Sequence, residues 1–296
     1  MKKWITVCLV ALIFIIVFPL LVNLIDLIKI LWTLVFSKVY SDQHQNYELP
    51  KTVHQIAYYK NEADIPEHWK SCSEFWSNYN PDWTVKRWSE EMGDTLVKEE
   101  FPWLWDVYSS YTNIVQKVDM LRIMILYQEG GIYSDLDVCA KKSMNELSKY
   151  EFGLPVTVPH GYSNYIMVSR SGHPLLMHFL SNFRYYNRFW FLPYLKVMCS
   201  TGPFLITYLM HTYPFQDQIR RIPDHWSTRE YMSFRYGSSW HEWDSTVLIA
   251  FYENLYICLI LIAVALYFIL RRCCYKSNHS ATSPIIPLFN KKQHDH

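Results

Sequence analysis

The sequence predicts an α/β domain whose mixed, mostly parallel sheet is flanked by helices, with an apolar segment able to cross a membrane at each end. Three observations lead there. Between residues 52 and 138 short strand-like runs alternate with helical patterns, as in strands joined by helices. At 296 residues and 50% apolar composition, the chain can hold one full core plus appendages. Two long apolar segments, 4–22 and 247–270, bracket that core.

After Met1-Lys2-Lys3 the chain runs from Trp4 to Val22 with Thr6 as its only polar residue. Those 19 residues, at about 1.5 Å each, suffice for a hydrocarbon core of about 30 Å. The run exceeds the apolar core of an ordinary signal peptide and no small-residue cleavage site follows, so a retained signal anchor is expected. Asn23, Asp26 and Lys29, spaced three apart, mark an extension to Phe36 that either lies on the membrane or packs on the domain. The second segment, Val247 to Leu270, is broken by Glu253 and Asn254 and followed by Arg271-Arg272. Glu253 either snorkels at the luminal edge or, lying deeper, is a functional candidate. Basic residues at the outer ends of both segments place both termini in the cytosol and residues 37–246 in a lumen. The cytosolic tail is 271–296, of which Ser277 to His296 is polar and expected to be disordered; its sequon, Asn278-His279-Ser280, is expected to carry no glycan.

The domain is expected to run as strand Thr52–Ile56, helix Pro66–Asn78, strand Trp83–Trp88, helices Glu90–Lys98 and Asn113–Gln128, and strand Ile132–Val138. In such folds ligands bind beyond the carboxyl ends of the strands. There the last strand, entered through Gly130-Gly131, carries Asp135-Leu136-Asp137. Residues i and i+2 of a regular strand share a side, so both carboxylates would converge on one hard divalent cation that prefers oxygen ligands. Asp119 and Arg122, at i and i+3, share a helical face, and in isolation they read as an intrahelical ion pair.

Taken together, Asp119, Arg122, Tyr127, Gly130-Gly131, Tyr133, Asp135 and Asp137 form an ordered constellation that resembles the DxD-containing glycosyltransferases. The resemblance takes in Leu49 to Gln55, Asn80-Pro81-Asp82-Trp83, Asn164, Gly172-His173-Pro174, Thr201-Gly202-Pro203 and Gly237 to His241, and so covers roughly Leu49 to Asp244. Within that family the chain most resembles the fungal mannosyltransferases that act on inositol phosphoceramide.

The resemblance implies a glycosyltransferase A-type, Rossmann-like fold and transfer of mannose from GDP-mannose with Mn²⁺ or Mg²⁺. It implies a sphingolipid acceptor in the Golgi or endoplasmic reticulum membrane, and a possible regulatory membrane subunit. Asp119 and Arg122 would contact the donor sugar, while Asp135 and Asp137 would hold the metal and diphosphate. His54, Gln55, Tyr133 and Asn164 would approach the nucleotide, although His54 also reads as hydrogen-bonded structure and Tyr133 as core packing. Ser238 and Trp240 belong to the closing segment, and His241 is the expected third metal ligand. Phe234-Arg235 stands where fungal relatives often have a histidine before the glycine, which leaves Ser238 as the alternative to His241.

Other function classes fit less well. A net charge of +1 and the lack of a Lys/Arg block exclude a nucleic-acid partner. A glycosidase needs carboxyl groups about 5 to 9.5 Å apart flanking the bond, whereas i and i+2 of one strand share one environment. A glycan-directed mannosyltransferase is the first alternative, and a non-catalytic partner subunit the second; buried carboxylates without a metal argue against the latter. Of seven cysteines only Cys72, Cys139 and Cys199 fall in the central region, where one disulfide is possible. Residues 183–196 interleave aromatics with cations, as at a membrane interface, with Arg184 and Arg188 expected on one helical face; a buried aromatic helix with snorkelling arginines fits equally.

Overall fold

The computed structural model describes residues 2–36, 48–59, 62–157, 161–215, 219–222, 230–235 and 237, with scattered positions between 244 and 272. The first apolar run and its extension form one helix, α1 (Lys2–Phe36). Among the described residues it is the one helix long and apolar enough to cross a membrane. Its last turns settle the two readings of the extension: Asn23, Asp26, Ile30 and Leu34 are buried, so this half packs on the domain. The second apolar segment, with Glu253, lies largely outside the described residues.

The domain proceeds through β1 (Thr52–Ile56), α2 (Glu67–Tyr79), β2 (Thr84–Trp88), α3 (Glu90–Glu100), α4 (Trp105–Ser110) and α5 (Ile114–Glu129). It continues with β3 (Gly131–Ser134), β4 (Val138–Ala140), β5 (Phe152–Pro155), β6 (Ile166–Ser169), α6 (Pro174–Tyr186), α7 (Pro193–Ser200), α8 (Pro203–Thr212), β7 (Arg220–Ile222) and β8 (Met232–Phe234). Helix starts carry the expected caps: Ser89 accepts from Met92 N, and Asn113 from Val115 N.

Six strands form one sheet in the order β2-β1-β3-β6-β5-β7. β1 runs parallel to both β2 and β3, β6 runs antiparallel to β3 and β5, and β7 is parallel to β5. The sheet is thus mixed with a single reversed strand, as the sequence predicts. A separate two-stranded ribbon, β4 with β8, springs from the acidic motif. Leu49, Val53, Trp76, Trp83, Ile132, Val138 and Ile222 belong to one core cluster that ties the sheet to α2 and this ribbon.

Two expectations are corrected. The strand predicted over Ile132–Val138 stops at Ser134; Asp135-Leu136-Asp137 turns, with Val138 N donating to Asp135 O at 3.2 Å, before β4 begins. Leu136 is buried with Ala57 and Ile65, and that apolar anchor turns the chain out of the sheet. Arg184 and Arg188 also do not share a helix, because α6 ends at Tyr186. Arg184 pairs with Asp106, and Arg188 with Asp26 of α1.

Candidate active site

The site is built on the corner between α5 and β3. Gly130 and Gly131 have φ of 70° and 97°, a left-handed backbone that only glycine adopts without strain. A Cβ on Gly131 would also sit 2.6 Å from Thr52 O. This corner lets β3 lie against β1, pairing Ile132 with Val53 and Tyr133 with His54, and it delivers Asp135 to the carboxyl end of the sheet.

Asp135 enters a buried network there. The Tyr133 hydroxyl donates to Asp135 Oδ1 at 2.6 Å, and Arg122 Nη1 lies 3.3 Å from the same oxygen. Arg122 Nη2 reaches Asp119 Oδ1 at 3.0 Å, Nη1 donates to Asn164 O at 2.6 Å, and the guanidinium lies 4.6 Å from the Tyr133 ring centre. Asp119 also accepts from Asn164 Nδ2 at 2.9 Å and from Thr201 Oγ1 at 3.1 Å. Asp119 and Arg122 are therefore more than an intrahelical pair: they tie α5 to the segment before β6 and to the turn before α8.

Burial pushes the Asp119 carboxyl up to about 6, against the opposing pull of Arg122. Asp137 also rises to about 6, first by burial and then through repulsion from Asp135. Asp135 is raised by burial, with Arg122 and Tyr133 opposing. Among the described residues no lysine or arginine pairs with Asp137. Gly237 lies so close that a Cβ on it would collide with the Asp137 carboxylate, while Arg235 N donates to Asp137 O at 2.8 Å. Arg235 and Gly237 thus lie against the acidic turn. Ser238, Trp240 and His241 lie outside the described residues.

The expected nucleotide contacts are placed differently. His54 is fully buried, with Nε2–H donating to Gly130 O at 2.9 Å and Nδ1 accepting from Trp88 Nε1 at 3.2 Å. Both ring nitrogens are used within the fold, and burial lowers its pKa to about 4. His54 is thus hydrogen-bonded structure inside the fold. Gln55 is buried as well and accepts from Ser73 Oγ at 2.6 Å through Oε1. Tyr133 and Asn164 are brought to the acidic cluster, Tyr133 holding Asp135 and Asn164 holding Asp119 and Arg122. Thr201 and Gly237 act within the site more directly than their spacing indicates; the short Thr-Gly-Pro and Tyr-Gly-Ser strings were their only signal.

A covalent link holds the motif from outside. Cys72 of α2 is bonded to Cys139 of β4, two residues past Asp137, and Cys199 is free and buried. Trp76 Nε1 donates to Val138 O at 2.8 Å beside it. The donor set fits a hard divalent cation: two carboxylates raised by burial, Asp137 also by repulsion from Asp135, the first oriented by Arg122 and Tyr133 and the second in no ion pair with a described lysine or arginine. No group of three or more His, Cys, Asp or Glu gathers in metal-binding geometry among the described residues, so further ligands would come from outside the protein or from the closing segment.

Residues 66–153 match the model of the glycosyltransferase sugar-binding region containing the DXD motif. The chain is also 33% identical over 220 residues to mannosyl phosphorylinositol ceramide synthase SUR1 of Saccharomyces cerevisiae, across 72% of this chain. Residues 66–153 thus carry the DXD-containing sugar-binding region of glycosyltransferases. Its similarity to inositol phosphoceramide mannosyltransferase 2 of Schizosaccharomyces pombe is 31% over 234 residues, 75% of this chain. The chain spans 57% and 66% of the length of those two relatives. A UDP-bound glycosyltransferase domain from the YGT toxin is similar in structure, with a TM-score of 0.48 and 9% identity over 64% of this chain and 83% of that one.

Proposed function

We propose that this glycosyltransferase transfers mannose from GDP-mannose to inositol phosphoceramide, with a divalent cation such as Mn²⁺ or Mg²⁺ at Asp135 and Asp137. The observation that carries the reading is the asymmetry of the two acids: Arg122 and Tyr133 lock Asp135, whereas no described cation pairs with Asp137. When bound, the cation supplies positive charge to the diphosphate leaving group. Asp119 and Arg122 form the floor for the sugar hydroxyls, and Asn164 and Thr201 keep that floor rigid. Tyr133 orients Asp135 so that one of its oxygens stays available. The approach of Gly237 to the Asp137 carboxylate brings backbone up to the reacting bond.

The acceptor assignment is supported by the named activity of the two fungal relatives and by α1, which would keep the domain beside a lipid substrate. The Cys72–Cys139 bond supports a luminal, oxidising location in the Golgi or endoplasmic reticulum.

The test is transfer of labelled mannose in membranes carrying the chain, with Mn²⁺ and inositol phosphoceramide present. A mannosylated lipid that disappears with chelator and with Asp137→Ala supports the proposal, and undiminished product from Asp137→Ala overturns it. Lipid extracts from cells lacking the protein should show inositol phosphoceramide accumulating at the expense of its mannosylated form.

A further inference from the structure

Helix α1 and the loop between α6 and α7 are bonded at one level. Asn23 Nδ2 donates to Phe189 O at 2.9 Å, while the Tyr185 hydroxyl and Arg188 Nη2 donate to Asp26 Oδ2 at 2.8 and 2.5 Å. The Arg188 guanidinium lies over the Tyr185 ring at 4.4 Å and the Trp190 ring at 5.0 Å, which stiffens the loop. Asn23 directly follows the apolar run that ends at Val22. At about 1.5 Å per residue, that run covers nearly all of a hydrocarbon core of about 30 Å. With that run as the span, Asn23, and with it Phe189, stands where acyl chains give way to headgroups.

Two aromatic rings leave the loop at that level. Phe189 and Phe191 are 59% and 39% exposed, with ring centres 5.3 Å apart, while Trp190 between them is buried and bonds to Tyr186 O. Phe191 has φ of 57°, a left-handed backbone that a bulky residue adopts only when its surroundings impose it. The strained backbone aims a phenyl ring outward at a position where glycine would fit without strain. Along α1, Leu24, Ile28 and Trp32 continue the uncovered apolar surface on the side turned away from the buried Asn23, Asp26 and Ile30. Grouped exposure of this kind marks an interaction surface, and aromatic rings favour the membrane–water boundary.

We infer that the loop 187–192 is a membrane wedge: Phe189 and Phe191 seat in the bilayer that α1 crosses, at the boundary of acyl chains and headgroups, and fix the domain's attitude over the lipid surface. The inference goes beyond the transfer reaction and rests on α1 as a membrane span. The chemistry matches an interfacial anchor, in which apolar rings enter about 5–10 Å and polar groups stay outside. The bonds to Asp26 and Asn23 keep the wedge at one depth, so the domain does not swing freely on its helix.

The test uses the full chain in phosphatidylcholine vesicles that carry a nitroxide label either high or low on the acyl chain. A fluorescent amino acid replaces, one at a time, Phe18 in the span, Phe189, Phe191, and Thr95, which is exposed on α3. The high label should quench the probes at Phe189 and Phe191 by roughly twofold or more, the low label less, and neither should quench Thr95. Quenching at Phe18 without quenching at Phe189 and Phe191 overturns the wedge and leaves the span standing, as would follow if a protein partner covered those rings. No quenching at Phe18 overturns the span and the wedge together. In the double variant F189S/F191S, transfer to acceptor in vesicles should fall several-fold while transfer to a short-chain acceptor dispersed in detergent is unchanged; equal rates on both acceptors also overturn the wedge.

Discussion

Arg122 Nη1 lies 3.3 Å from Asp135 Oδ1, so a helix residue thirteen positions upstream orients the first acid of the motif. The same guanidinium compensates Asp119, and both partners of that pair are almost wholly buried, at 4% and 3% exposure. A single cation thus serves two acids drawn from different elements.

Removing it should be costly in stability as well as activity. Arg122→Ala leaves the buried Asp119 and the half-buried Asp135 uncompensated, and the expected loss is about 3–5 kcal/mol. Arg122→Lys keeps charge but cannot bond in two directions from a planar group, so it should lose less stability and still lose most transfer. Denaturant titration of the purified protein checks both; an unshifted midpoint in Arg122→Ala would refute the shared-cation account.

Asp137 should behave in the opposite manner, because no described lysine or arginine forms an ion pair with it. Asp137→Ala is expected to reduce transfer by about 100-fold or more while leaving the melting temperature within a few degrees. A large drop in melting temperature would mean that Asp137 is structural.

Gly237→Ala places a methyl group into the Asp137 carboxylate. The segment must then back away, and transfer should fall at least about tenfold, since misplacing a catalytic group by about 1 Å costs more than that. Kinetics of the variant at saturating donor decide it; full activity would show that this approach is not needed.

The buried histidine gives a stability prediction with a sign. Burial holds His54 near 4, below its ordinary 6.5, so the unfolded chain takes up its proton first. Its contribution is complete above pH 6.5 and lost as pH falls toward 4, an amount on the order of 3 kcal/mol. The raised carboxyls of Asp119 and Asp137 work the other way below about pH 6, so the test is a difference. The gap in melting temperature between wild type and His54→Gln should shrink from pH 7 to pH 5; a constant gap would contradict it.

The Cys72–Cys139 bond closes a loop across 67 residues, and chain entropy assigns it about 4 kcal/mol. Cys72→Ala should lower the melting temperature markedly and abolish the difference between oxidising and reducing buffer. Mass mapping that finds both thiols free in protein from the secretory pathway would remove the bond.

Much of this site was legible because its signals are local. Strand Thr52–Ile56 and the helix ending at the glycine pair follow from short runs of apolar residues and a turn that demands positive φ. Asp135 and Asp137 were found by a strand rule, yet the structure unites them by a turn: Leu136 has a tertiary pocket between Ala57 and Ile65, which periodicity along one segment does not reveal. The buried setting of His54 was hidden for a similar reason. Its partners Gly130 and Trp88 lie 76 and 34 residues away, and only the folded sheet brings them to the ring. Strands β4 to β8 are only three or four residues long, too short to register as patterns. Residues 183–196 misled by charge spacing, since Arg184 and Arg188 are claimed separately by Asp106 and Asp26.

The burial of Ile30 and Leu34 against the domain bears on how the protein can be handled. A soluble version trimmed at Leu49, just ahead of the first strand, would strip those side chains from their seat beside α8 and leave Arg188 without its acid. Such a fragment should aggregate, whereas one that begins shortly before Asn23 retains the packing. The boundary useful for expression therefore falls inside the helix rather than after it.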